Sequence, residues 1–126
     1  MKRKKLPLSK KHLRIIADQL WRMVGVKVWG SVCICGKQTI HGHHYYYRGS
    51  YGHLRYDLDN FVPLCNGCHF TLHFQDPKKV EERIVAFRGQ KWYKRLQKKS
   101  QERPQSFQTV GWYKSIISQL KEYLEA

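Results

Sequence analysis

HGHHYYYRGSYGHLRYDLDNFVPLCNGCHFTLHF, residues 41–74, decides how the chain is read. Tyr45 to Tyr47 favour a strand, and Gly49, Ser50 and Gly52 supply a loop after it. A second short strand is expected over Phe61 to Leu64. Cys65 to Gln75 then reads as a helix, which Asp76-Pro77 ends. His69 and His73 stand four residues apart, so on that helix they share one face and make a ready pair of metal ligands. A third ligand must come from the preceding strand, where His43 or His41 can supply it. Adjacent strand residues point to opposite faces, so His43 and His44 cannot easily serve one ion. One would bind and the other stay free. A free imidazole is neutral near pH 7 and suits a general base, with Asn60 or a backbone carbonyl to fix its tautomer.

Cysteines frame this stretch in two short pairs, Cys33/Cys35 before it and Cys65/Cys68 at its helix. Zinc takes four thiolates in a tetrahedron, and paired ligands deliver them at low loop cost. The second pair is a CxxC knuckle with Gly67 in the turn. The first is CxC, which constrains its sulfurs harder. Four thiolates leave no open position for water, so the expected zinc is structural and staples the hairpin to the helix. Lys27 to Thr39, with Gly30 and Gly36, reads as the turn-rich part of this knuckle.

Outward from the centre, Ser9 is a helix cap. Leu13, Ile16, Ala17, Leu20 and Val24 repeat at helical spacing, which predicts a helix over 10–24 that packs on the metal core and stops at Gly25. Pro77 opens another helix, broken near Gly89 and carried to Lys99 by Val80, Ile84, Val85, Phe87, Trp92, Tyr93 and Leu96. Pro104 marks a linker. A last helix begins at Thr109 or Gly111, and its stripe of Trp112, Ile116, Ile117, Leu120 and Leu124 is read as core packing. The result is an α+β domain in three parts: a basic arm and helix over 1–30, the knuckle and hairpin-helix centre over 31–76, and basic helices over 77–126.

The chain has 126 residues, with 24 Lys and Arg against 9 Asp and Glu, a formal charge of +15. That excess points to a polyanionic partner, above all nucleic acid. It is concentrated in Lys2, Arg3, Lys4 and Lys5, and again from Lys78 to Arg103, including Arg88 and Lys91. Arg48 and Arg55, close to the histidines in sequence, are candidates to grip phosphates bidentately. Tyr45 to Tyr47 could stack on bases, although strand packing suits at least two of them. No apolar run is long enough to span a bilayer, and no secretory h-region follows the basic start. A cytoplasmic location is expected, where four cysteines hold metal rather than disulfides.

His43-His44, then Asn60 in DLDN, then Cys65-Asn66-Gly67-Cys68-His69 running to His73 resembles the HNH (ββα-metal) endonucleases. The spacing is similar to that of colicin-type DNases. The cysteine frame and LRYDLDN before LCNGCH look more like phage-borne HNH proteins and recombination proteins of the NinG type. The broad likeness covers about residues 31–75, and the phage-type likeness extends through FRGQKWYKRL, 87–96. The resemblance implies a ββα-metal core with a zinc knuckle, flanked by N- and C-terminal helices. It implies His44 as general base, Asn60 holding the hairpin loop and orienting His44, and His43, His69 and His73 around one catalytic divalent ion. Cys33, Cys35, Cys65 and Cys68 would hold structural zinc. It further implies DNA as partner, 5′-phosphate and 3′-hydroxyl products, and a bacterial host cell if the chain is phage-encoded. His41 is an extra, alternative strand ligand. Many relatives carry a carboxylate there, and imidazole donors favour Mn, Ni or Zn over Mg.

One active site in a monomer implies nicking, and a dimer would permit double-strand cuts. Two other readings share parts of the pattern. A non-catalytic zinc-ribbon module that binds nucleic acid keeps the cysteines and the charge, and leaves His44, Asn60 and His69/His73 without a task. A branched-DNA recombination nuclease keeps the chemistry and differs in substrate.

Overall fold

The computed structural model describes residues 8–126. It contains five α-helices, α1 (Lys10–Trp29), α2 (Asn66–Phe74), α3 (Pro77–Arg88), α4 (Gln90–Gln101) and α5 (Val110–Glu125). A two-stranded antiparallel sheet joins β1 (Gly42–His44) to β2 (Phe61–Pro63), in register His43 opposite Val62 and His44 opposite Phe61. The fold is thus mixed, mostly helical with one small hairpin whose second strand runs into α2. Among the described residues no helix is long and apolar enough to cross a membrane.

Local chemistry explains most boundaries. Ser9 caps α1 by accepting from the His12 N–H. Asp76 caps α3, whose first turn holds Pro77. Gly89, at φ +97°, separates α3 from α4. Thr109 caps α5.

Two boundaries differ from the sequence expectation. Helix α1 does not stop at Gly25 but runs on to Trp29. Gly25 is instead a packing residue: a Cβ there would collide with the Phe61 ring, and one at Gly42 would meet the same ring. The first strand likewise ends at His44 rather than covering Tyr45 to Tyr47. The Tyr45 N–H still reaches the Asn60 carbonyl at 3.0 Å. Beyond it the side chain of Asn60 replaces the partner strand, accepting from the Tyr46 N–H at 2.7 Å and donating to the Tyr46 carbonyl at 3.1 Å.

Alternation along β2 divides the core in two. Phe61 faces α1 and α5 and joins Leu13, Ala17, Leu20, Trp21, Val24, Tyr56, Tyr113 and Leu120. Val62 faces the knuckle and the α2–α4 side, with Leu54, Leu64, Leu72, Ile84, Trp92 and Leu96. Trp29 packs against both clusters. The stripe of α5 is core packing as expected, and its partner is α1, although Leu124 at its far end is 36% exposed.

Three indoles hold the segment between the strands. Trp21 donates to the carbonyl of Asp57, Trp29 to that of Leu58 and Trp92 to that of Asp59, at 3.0, 2.7 and 2.8 Å. Arg95 closes bidentately on the Asp59 carboxylate, and Lys99 reaches both Asp57 and Asp59. These cations hold the Asp59 carboxyl at about 2, below the ordinary range, with the Arg95 contact the largest cause.

Candidate metal centres and the cleft beside them

Cys33 lies in a tight turn in which its N–H donates to Lys37 and its carbonyl accepts from Gly36, both at 2.8 Å. Gly36 supplies the positive φ of +89° that the CxC loop needs. Cys65 is the residue before α2, and its sulfur accepts from the Cys68 N–H. These two loops bring Cys33, Cys35, Cys65 and Cys68 together with all four sulfurs within 4.8 Å of one another, and no disulfide forms. The Cys35 and Cys65 sulfurs are 3.6 Å apart. Thiolates at about 2.3 Å from zinc stand about 3.8 Å apart in a tetrahedron, so the set fits a zinc ion. The Cys68 N–H and the neighbouring thiols pull the Cys65 thiol down to about 6, while burial pushes Cys33 and Cys68 up.

Cys68 is the third residue of α2, and the next residue begins a second group. The ring nitrogens of His43, His69 and His73 also lie within 4.8 Å of one another. His69 Nε2 and His73 Nε2 are 3.0 Å apart. That distance suits an N–H···N hydrogen bond, and equally two nitrogens about 2.1 Å from one ion at adjacent octahedral positions, about 3.0 Å apart. Burial and then the neighbouring imidazoles drive His43 down to about 3 and also lower His69, so both rings are neutral at pH 7. Neutral imidazole is the form that ligates metal. His41 precedes β1, is exposed and stands outside the cluster, so the structure gathers His43 rather than His41.

His44 points to the other side of the strand. Its Nε2 is 2.9 Å from the Arg55 carbonyl. A carbonyl can only accept, so Nε2 carries the proton and the neutral ring keeps its lone pair on Nδ1. Burial is the main cause that brings His44 down to about 4. The charges of Arg55 and Arg48 act the same way, against the opposing hydrogen bond to Arg55 and the charge of Asp18. The fixing partner is therefore a backbone carbonyl. Asn60 acts one step back: wholly buried, it ties Tyr46 to the Leu54 carbonyl, next to Arg55.

His43, His44, His69 and His73 line one open cleft of about 320 Å³ with Asp18, Trp21, Arg22, Tyr47 and Arg48. Arg48 is exposed on its wall, where a phosphate could reach it. Two other arginines are placed differently from the sequence expectation. Arg55 is closed bidentately on Asp18 at 3.0 and 2.9 Å, so its fork is already filled. Arg88 lies 3.6 Å over the Trp29 ring and is pulled down to about 10 by burial, so it belongs to the core edge. Lys91 is exposed on α4. Lys2, Arg3, Lys4 and Lys5 lie outside the described residues.

Sequence reasoning missed Asp18, Trp21 and Arg22. Trp21 borders the apolar stripe of α1, Asp18 lies beyond it and Arg22 opposite it, so periodicity reads Trp21 as packing and the other two as solvent-facing. Comparison with known protein families, with curated proteins and with solved structures gives no match to this chain.

Proposed function

We propose that the chain is a metal-dependent DNA endonuclease of the HNH (ββα-metal) type that nicks the phosphodiester backbone. The observation that carries this reading is the convergence of His43, His69 and His73 in one cleft with His44, whose ring is fixed with one nitrogen free. A structural reading explains the cysteines, yet it assigns no task to three histidines clustered on an open cleft beside a fourth that is held rigidly.

His43, His69 and His73 would hold a divalent ion, with Mn, Ni or Zn better suited to three imidazoles than Mg. When bound, that ion supplies positive charge against the scissile phosphate and the leaving 3′ oxygen. His44 Nδ1 takes the proton of the attacking water, and its neutral state at pH 7 keeps the lone pair available. Asn60 keeps the loop closed so that the Arg55 carbonyl stays in place. Arg48 and Arg22, which line the same cleft, grip phosphates beside the cut. Most of the affinity comes from the charge of +15 through counterion release, so binding is salt-sensitive and reads little sequence.

The test is incubation of zinc-loaded protein with supercoiled plasmid and Mg, Mn, Ni or EDTA, beside His44→Ala. Metal-dependent nicking that EDTA and His44→Ala abolish is the expected result. Plasmid that shifts on a gel and stays uncut with every metal, alongside uncut forked and four-way DNA, sinks the nuclease reading and leaves a zinc-ribbon binding module.

A further inference from the structure

We propose that α1 is the holder of the general base, with Trp21 the positioning residue for His44; the part Trp21 plays in catalysis rests on the nuclease reading. The two rings stack with centroids 4.0 Å apart and planes inclined by 9°. The indole cannot drift. It is 4% exposed, its Nε1 is tethered to the Asp57 carbonyl at 3.0 Å, and Phe61 meets it edge-on at 4.9 Å. Stacking fixes the plane of the imidazole, and the Nε2–H bond to Arg55 fixes its rotation within that plane. Together they aim Nδ1.

Asp18 stands three residues before Trp21, so both rise from one face of α1. Its carboxylate holds the Arg55 guanidinium, and thereby steadies the residue whose carbonyl accepts the His44 Nε2–H hydrogen bond. One turn of helix thus acts on the imidazole twice, directly through Trp21 and indirectly through Asp18. Neither residue needs to touch DNA. Buried aromatic packing alone would explain an indole at this place; it would not explain a coplanar stack on a polar ring that already has its hydrogen bond.

The measurement pairs kinetics with imidazole NMR on the full, zinc-loaded chain, comparing wild type, Trp21→Leu, Trp21→Phe and Asp18→Asn. Zinc content and circular dichroism establish that each variant is folded. Trp21→Leu is expected to lower kcat on plasmid with Mn by about ten- to a hundredfold, with KM within about twofold, because misaimed proton transfer loses rate and not binding. Trp21→Phe restores most of the rate, since a phenyl face still stacks. In the NMR spectrum the His44 ring protons lie upfield in wild type and move downfield in Trp21→Leu. Asp18→Asn lowers kcat less and leaves the upfield shift in place. His44 ring protons that do not move in folded Trp21→Leu, or a kcat equal to wild type, overturn the proposal. If wild type cuts nothing, the nuclease reading falls on its own, and the NMR comparison still decides whether Trp21 holds the ring.

Discussion

Cys68 and His69 are neighbours in the chain, and their side chains belong to different ligand groups. The cysteine group is anchored inward on one side: Cys33 and Cys65 are buried and packed within the cluster that includes Leu64 and Leu72, while Cys68 is half-buried and Cys35 exposed. The histidine group faces a cleft, with His69 and His73 exposed and only His43 half-buried. Four thiolates close a tetrahedron, whereas three imidazoles leave positions for water or an oxygen ligand. The contrast teaches that donor count and anchoring in the core distinguish a closed ligand set from one with open positions.

Removing the first metal should have the largest effect. Cys33→Ser, or zinc stripped with a strong chelator, should abolish the cooperative melt, since structural zinc supplies about 10 kcal/mol or more of apparent binding energy in small domains. Circular dichroism before and after chelation reads this directly. An unchanged melting curve would break the comparison at its root.

Next in size is the loop between the strands, where Asn60→Ala should cost about 3 kcal/mol in urea unfolding. It leaves the partly buried Tyr46 N–H and carbonyl without their partner and takes one of two donors from the Leu54 carbonyl, which keeps the Asp57 N–H. A loss below about 1 kcal/mol would mean water replaces the amide there.

Asp59→Asn should cost about 1–2 kcal/mol at pH 7, with Arg95 and Lys99 losing their carboxylate. The Asp59 carboxyl lies lower in the folded chain, at about 2, than in the unfolded one. Its stabilisation is therefore whole above the ordinary carboxylate pKa of about 4 and fades as pH falls from there toward 2. The gap between wild type and variant should be flat from pH 8 to pH 5 and narrow below about 4. A gap that closes nearer neutrality would assign the effect to another group.

The smallest expected change in stability comes from the second ligand group. A His69→Ala/His73→Ala double variant should melt within about 2 °C of wild type, as exposed substitutions do. By mass spectrometry or dialysis against Mn or Zn it should bind one metal equivalent fewer. A large fall in Tm would show that the histidines, too, hold the fold together.

What the sequence disclosed was short-range. Ser9, Asp76-Pro77, Gly89 and Thr109 set helix ends through their own backbone chemistry, and the structure places them there. His69 and His73 share a face because four residues make about one turn. What it concealed depends on partners far along the chain. Gly25 reads as a stop until Phe61 arrives beside it. Tyr45 to Tyr47 have strand propensity, but an amide side chain from position 60 takes the place of the partner strand. Arg55 and Arg88 read as free cations until Asp18 and Trp29 occupy them. Trp21 looks like any helix-stripe aromatic, because nothing local says that a histidine ring will lie flat on it.

The Phe61 ring, seated on bare backbone at both Gly25 and Gly42, has a bearing on how such a chain can vary. The three positions form one lock: a methyl at either glycine collides with the ring, and a smaller residue at 61 leaves a void that either methyl could fill only in part. Substitutions there should be tolerated as a matched set rather than singly. In a library randomised at these positions, functional survivors should show correlated changes, glycine kept wherever phenylalanine is kept.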